Sequence, residues 1–327
     1  MNFIFFHEHN VTFLELHYSE LFPKYDAQSL LKDIHNFKHG KGKLGKLIRH
    51  FFKERIYECH GTRGRVSPME AMQNEEIMKK VLAYIHEHPS FYCHKPLANV
   101  ESFFRNGGKY ASKVGNFCPK TARSIYERYR NGRHSLNILD TSMGFGSRML
   151  GALLSGHSYY GIDPNKKLNE SLHDCLQFLK DNNQLESSQE CMLYCQGSET
   201  FIPALENKCD VMFTSPPYFN LEIYSEDECE STKNYDNYEN WLERFVKPTV
   251  DNITRYMRKG GIVMINIKNM TRNARKPLFD DWMKIMKDHP SLEYLETFEI
   301  SHQTPRHYRE ENQYKGFKEP VMVFRKI

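Results

Sequence analysis

The chain has 327 residues, a formal net charge of +4, 39% hydrophobic residues and a mean hydropathy of −0.67. That length can bury a substantial core, and no run approaches the roughly 20 apolar residues that would cross a bilayer. The charge is too small to dictate a partner, so its distribution along the chain matters more.

The start, Met1 to Glu8, has no basic segment followed by a long apolar core, so it does not read as a secretory leader. The eight cysteines form no C-x-x-C pair and the sixteen histidines form no H-E-x-x-H. Reduced thiols, no metal and a cytoplasmic protein are the expectation. Residues 1–105 look helical and polar. Apolar residues recur at three-to-four spacing over Ser29 to Phe37 and Leu44 to Tyr57. The second of these lies in the most basic part of the chain, with Lys38, Lys41, Lys43, Lys46, Arg49, Lys53 and Arg55 countered only by Glu54 and Glu58. Lysines beside Gly40, Gly42 and Gly45 suit a phosphate chain, and a solvated helix face is the plain alternative. Ser67-Pro68 reads as a helix start, with the helix running to His86. The Pro-, Gly- and Asn-rich stretch from His88 to Gly115 holds a domain boundary, giving a basic helical domain over 1–105 and a second domain over 106–327.

The second domain opens with a helix from Pro119, ended by Asn131-Gly132. A strand, Leu136 to Asp140, then runs into Thr141-Ser142-Met143-Gly144-Phe145-Gly146 and an apolar helix over Met149 to Leu154. Strand, glycine turn and helix make the first unit of a doubly wound sheet. Ser158 to Asp163 is a second strand, ending in an acid about twenty residues past the glycines, where such folds hold ribose hydroxyls. Pro164-Asn165 leads into a helix over Lys167 to Asn182, and Cys191 to Gln196 is a third strand, ending at Gly197-Ser198-Glu199. The fourth, Val211 to Thr214, stops at Ser215-Pro216-Pro217-Tyr218. Two prolines supply no N–H, so the strand ends there, at the ligand-binding edge of the sheet. Trp241 to Met257 is an amphipathic helix with Lys259-Gly260-Gly261 at its C-cap, and Ile262 to Ile267 is a fifth strand. Leu292 to Ile300 and Pro320 to Arg325 are an antiparallel pair that finishes a seven-stranded sheet. Between them, Arg306 and Arg309 lie among histidines and tyrosines, a mixture that suits a strand of nucleic acid or a plain hairpin loop.

The ordered set of glycine turn, strand-end Asp163 and Ser215-Pro216-Pro217-Tyr218 resembles the S-adenosylmethionine-dependent amino-methyltransferases of DNA, which modify adenine N6 or cytosine N4. The resemblance covers Lys113 to Lys326 and implies a Rossmann-like methyltransferase sheet. It implies that Asp140, Ser142, Gly144 and Gly146 line the methionine half of the cofactor, with Lys113 in the segment that closes over it. Asp163 and Pro164 would lie at the ribose. Ser198 stands where the family carries an acid, with Glu199 next to it. Ser215 and the Pro216 carbonyl would accept from the target amine, with Pro217 stiffening the turn and Tyr218 stacking on a flipped base. DNA is the implied partner. RNA bases or a protein glutamine as substrate, or a nucleic-acid-binding module without chemistry, are the alternatives. By elimination, residues 1–105 recognise the target.

Overall fold

The computed structural model describes residues 2–3, 16–61, 65–88, 96–105, 110–111, 113–219, 235–270, 276–301 and 318–327, with the backbone alone at 2–3, 16–19, 96 and 105. A two-stranded ribbon of β1 (Asn2–Phe3) and β2 (Leu16–His17) precedes α1 (Tyr18–Leu21).

Helix α2 (Ala27–Lys38) is capped by Asp26, which accepts from Ser29 N at 2.8 Å, and buries Leu30, Ile34 and Phe37 on one stripe. Helix α3 (Gly45–Glu58) has no cap of its own, because Leu44 before it is left-handed at φ 58°. Asp33 of α2 caps it instead, its Oδ2 accepting from Lys46 N at 2.8 Å and Leu47 N at 3.1 Å. The helix expected from Ser67 to His86 is two helices, α4 (Pro68–Gln73) and α5 (Glu75–Glu87). Asn74 leaves helical geometry at φ −107°, ψ 107°, and its side chain caps α5 by accepting from Ile77 N. Asparagine offers the backbone that alternative bond, so the break falls there. Helix α6 (Pro96–Arg105) follows.

Helix α7 (Pro119–Arg128) leads into β3 (Asn137–Asp140), α8 (Ser147–Leu153), β4 (Ser158–Ile162), α9 (Lys166–Asp181), β5 (Cys191–Tyr194) and β6 (Cys209–Thr214). Beyond residues 220–234 come α10 (Tyr238–Trp241), a π turn over Leu242–Val246 and α11 (Lys247–Tyr256). Pro248 has no N–H to give the Arg244 carbonyl, and the Tyr235 hydroxyl donates to that carbonyl at 3.3 Å. The helix ends at Tyr256, and β7 (Met257–Asn266) begins at once. The expected glycine C-cap is therefore corrected: Gly260, at φ 78°, lies inside β7, whose pairing with β6 shifts register between Cys209 and Val211. Helix α12 (Leu278–Asp288), β8 (Leu292–Ser301) and β9 (Lys318–Lys326) complete the described elements.

The seven strands run in the order β5-β4-β3-β6-β7-β9-β8. Neighbours are parallel except at β9, which is antiparallel to both β7 and β8. This is the doubly wound, Rossmann-like sheet expected above, including its antiparallel closing pair. The winding reverses at the β3/β6 junction, where such sheets form their ligand crevice. Both faces are covered, which explains the unbroken apolar runs in the strands. Ile138, Val211, Phe213 and Met264 pack with α7, α8, α9 and the buried residues of α2 to α6. The alternate residues Leu139, Met212, Val263 and Ile265 pack with α10, α11 and α12.

Candidate functional site

Two turns flank the winding reversal: the glycine turn after β3, and Ser215-Pro216-Pro217-Tyr218 after β6. They are tied together beneath the surface. Asp140, fully buried at the end of β3, accepts from Arg148 Nε at 2.7 Å and Nη2 at 3.2 Å, from Tyr159 OH at 2.7 Å, from Thr214 Oγ1 at 2.8 Å and from Ser142 N at 3.3 Å. Five donors fill the roughly four lone-pair sites of a carboxylate. Asp140 therefore serves the protein's interior, holding the buried Arg148 guanidinium, which also donates to the Ser142 carbonyl. Arg148 was missed in the sequence, where its signal is an arginine inside an otherwise apolar helix start: such a charge is buried only with a partner.

Gly144 and Gly146 have φ of 51° and 68°, the left-handed region that glycine enters without penalty. They differ in what lies beside them. A Cβ on Gly144 would come no closer than 3.9 Å to the Ser142 carbonyl, whereas on Gly146 it would sit 2.6 Å from Phe52 Cζ and 3.1 Å from Leu172 Cδ2. A side chain at Gly144 would meet only its own turn's Ser142 carbonyl, whereas Gly146 accommodates a ring of α3. Ser142 is half-buried and gives its hydroxyl proton to the Thr141 carbonyl. Thr141 Oγ1 itself is buried without a partner among the described residues.

Asp163 follows β4 and faces the same crevice. Its carboxylate accepts from Gly144 N and Asn165 N, both at 3.1 Å. Burial pushes this carboxyl up to about 6, and those two N–H donors oppose the rise. Pro164 and Asn165 turn the chain into α9, whose cap is Asn165 Oδ1 accepting from Leu168 N at 3.0 Å. Past β5, Ser198 is 3% exposed, with its hydroxyl on Thr249 Oγ1 at 3.0 Å and its carbonyl on Asn252 Nδ2 at 3.0 Å. Its side chain is committed to α11. The adjacent Glu199 folds back over Gly197, where a Cβ would lie 2.6 Å from its Cδ. Glu199 Oε2 is buried and meets no hydrogen-bond donor of its own among the described residues; burial raises this carboxyl, and the nearby Tyr235 hydroxyl opposes the rise. Lys113 is half-buried, with its N–H on the Phe104 carbonyl at 3.4 Å. The segment it begins passes beside the glycine turn, where Asn116 Oδ1 accepts from Ser147 Oγ at 3.0 Å and the Phe117 ring lies against Arg148.

At the second turn, Ser215 Oγ donates to the Asn266 carbonyl of β7 at 3.1 Å. Asn266 is held in turn by its own side chain, which donates to the Pro320 carbonyl at 3.1 Å. Pro216 is buried, and Pro217 and Tyr218 are half-buried. Tyr218 OH accepts from Lys268 N at 3.2 Å, and Lys268 Nζ pairs with Glu319 at 3.1 Å. Phe219 takes a left-handed φ of 46° and buries its ring against Tyr238 and Trp241.

The basic residues of the N-terminal region lie on another surface. Lys41, Lys43 and Arg49 are exposed and Lys46 is half-buried. Lys46 and Arg49 place their charges over the Tyr25 ring, at 5.6 and 5.9 Å from its centroid. The turn they surround is docked on α7, since Arg123 donates to the Phe37 carbonyl at 3.1 Å and Lys120 to that of Gly40 at 3.3 Å. Arg306 and Arg309 lie outside the described residues. Among those residues, no group of His, Cys, Asp and Glu could hold a metal ion, and no helix is long and apolar enough to cross a membrane.

No family model matches the chain, and no curated protein matches it. Solved structures similar to it include TrmN from Thermus thermophilus, at 13% identity and a TM-score of 0.41 over 65% of this chain and 50% of that one. An S-adenosylmethionine-dependent O-methyltransferase from Thermotoga maritima matches at 10% identity and a TM-score of 0.40, over 65% of this chain and 67% of its own. Magnesium protoporphyrin IX methyltransferase from Synechocystis, with bound S-adenosylmethionine, matches at 12% identity and 0.41, over 64% and 79%. The chain spans about half the length of the Thermus protein.

Proposed function

We propose that the protein transfers a methyl group from S-adenosylmethionine to the exocyclic amino group of a flipped base in DNA, cytosine N4 or adenine N6. The observation that carries this reading is the direction of the Ser215 hydroxyl. Its one proton goes to the Asn266 carbonyl at 3.1 Å, so it offers the crevice only lone pairs. A group that can only accept, next to the Pro216 carbonyl, which has no choice but to accept, matches a donor with two N–H bonds. It does not match a hydroxyl or thiol that must lose its proton before it can be methylated.

The crevice fits the cofactor on three counts. Gly144 carries no Cβ at the glycine turn, Asp163 retains lone pairs for the ribose hydroxyls, and Glu199, beside the Tyr235 hydroxyl, offers a buried carboxylate oxygen to an adenine amine. S-adenosylmethionine supplies the electrophilic methyl on its sulfonium. Ser215 and the Pro216 carbonyl hold the amine with its nitrogen lone pair toward that methyl, which is catalysis by positioning. Tyr218 stacks on the base, which leaves the duplex to reach the turn. The exposed lysines about the α2–α3 turn bind the phosphate chain, and Arg306 and Arg309 add to that charge.

Incubation with labelled S-adenosylmethionine and separate DNA and RNA, followed by nucleoside analysis, tests the reading. N4-methylcytosine or N6-methyladenine in DNA is the expected product. Label in RNA alone would replace DNA by RNA, and label in neither despite cofactor binding would replace nucleic-acid methylation by a protein substrate or a non-catalytic binding role.

A further inference from the structure

Phe52 belongs to the basic N-terminal region, yet its ring lies against the backbone of the glycine turn. It is fully buried, six residues along α3 from Lys46, and occupies the space a side chain on residue 146 would need. A Cβ there would meet Phe52 Cζ at 2.6 Å and Cε2 at 2.9 Å, closer than carbon atoms approach. Gly146 is the N-cap of α8 and donates its N–H to the Gly144 carbonyl at 2.9 Å. Gly144 donates in turn to Asp163 Oδ2 at 3.1 Å. A path of direct contacts thus runs from α3 through Gly146 and Gly144 to the acid assigned to the ribose. Neighbouring contacts fix α3 in place: Phe51 packs on Phe178 of α9, and Lys53 pairs with Glu101 of α6.

We infer that Phe52 is a positioning residue for the cofactor site: the N-terminal region supplies the wedge that holds the glycine turn in its left-handed form. This rests on the cofactor assignment above. Without the ring, the turn has a void behind it and its two left-handed residues lose their backing. The Gly144 N–H then no longer points steadily at Asp163. Left-handed φ favours glycine at both positions, and at 146 the Phe52 ring leaves no room for a side chain besides.

The test is titration of the full-length protein with S-adenosylmethionine, well below the melting temperature, for wild type, Phe52→Leu, Phe52→Ala, Gly146→Ala and the Gly146→Ala/Phe52→Ala pair. Wild type should bind. Phe52→Leu, which stays folded because most of the volume remains, should weaken binding at least fivefold, and Phe52→Ala more. Gly146→Ala should bind at least tenfold more weakly than wild type, and the double variant should lose less than the product of the two single losses, because the added methyl enters the space the ring vacates while the strain of a left-handed alanine remains. Unchanged affinity in a folded Phe52→Leu, or a double variant that loses the full product of the two single losses, overturns the inference and leaves the cofactor assignment standing. Failure of the wild type to bind overturns that assignment and this inference with it.

Discussion

Thr214 Oγ1 donates to Asp140 Oδ1 across 2.8 Å, joining the last residues of β6 and β3 at the winding reversal of the sheet. Each lies directly before one of the two turns that make up the site. Asp140 also holds Arg148, which reaches back to the Ser142 carbonyl, so the glycine turn and the Ser215 turn share one buried network. Replacing Thr214 by Val keeps the shape and removes the donor. A hydrogen bond to a charged group contributes about 1.5–3 kcal/mol. Urea unfolding of Thr214→Val should show a loss of that order, with Thr214→Ser close to wild type. Equal stability of the Val and Ser variants would mean the network does not depend on this bond.

Much of this edge is legible in the sequence because its signals are local. Two prolines end β6, Asn165 caps α9 within three residues, and the acid at the end of β4 follows the glycines at the spacing of a βαβ unit. What escapes is set by contacts between distant segments. Asp33 caps α3 from thirteen residues away, Tyr235 satisfies the carbonyl left open by Pro248, and Phe52 explains Gly146. Asp140 and Ser198 show the same limit at the site: the sequence places them as candidate ligand contacts, and partners from α8 and α11 occupy their side chains. Periodicity places a residue on a face, but it does not say which neighbour arrives there first.

With Asp163 at the ribose, as proposed, cofactor binding should depend on pH. Its carboxyl is raised by burial to about 6 in the folded chain, from an unperturbed 3.8. For stability, its contribution is therefore fully present below pH 3.8 and lost as pH rises through 6. For ligand binding the sign is opposite, because ribose hydroxyls donate to the ionised form. S-adenosylmethionine affinity should fall as pH drops from about 7 through 6 to 5. Asp163→Ala should reduce that dependence to what Glu199 contributes and weaken binding at neutral pH by the equivalent of about 1.5–3 kcal/mol. Calorimetric titrations showing the same affinity on both sides of that transition would take Asp163 off the ribose.

The basic surface predicts a salt effect. Lys41 and Lys43 are exposed beside the α2–α3 turn and Lys46 opens α3. Changing all three to Gln should weaken oligonucleotide binding at low salt. The slope of log K against log salt should become shallower by about two to three, roughly one unit for each phosphate that no longer meets a lysine. S-adenosylmethionine affinity should not move, since none of the three touches the crevice. An unchanged salt slope would make the segment a solvated face.

The Ser215 turn separates chemistry from packing most sharply. Ser215 donates to Asn266 and offers its lone pairs outward, so Ser215→Ala removes an acceptor for the target amine and leaves the cofactor contacts alone. Single-turnover methyl transfer should fall about tenfold, the rate equivalent of losing one hydrogen bond in the transition state, with S-adenosylmethionine affinity unchanged. The proposed function gives Tyr218 a second role beside its observed contact, and two substitutions divide them. Its hydroxyl accepts from Lys268 N at 3.2 Å, so Tyr218→Phe keeps the ring and costs about 1 kcal/mol of stability with little loss of rate. Tyr218→Ala also removes the stacking face, an interaction worth about 1–3 kcal/mol per base, so its transfer rate should fall well below that of the Phe variant. If Tyr218 only packed against the core, the Ala variant would lose about 3–5 kcal/mol to a cavity and keep its full rate per folded molecule. Melting temperature and transfer rate measured on the same three variants decide between the two, and an early-melting, fully active Tyr218→Ala would remove the ring from the substrate site.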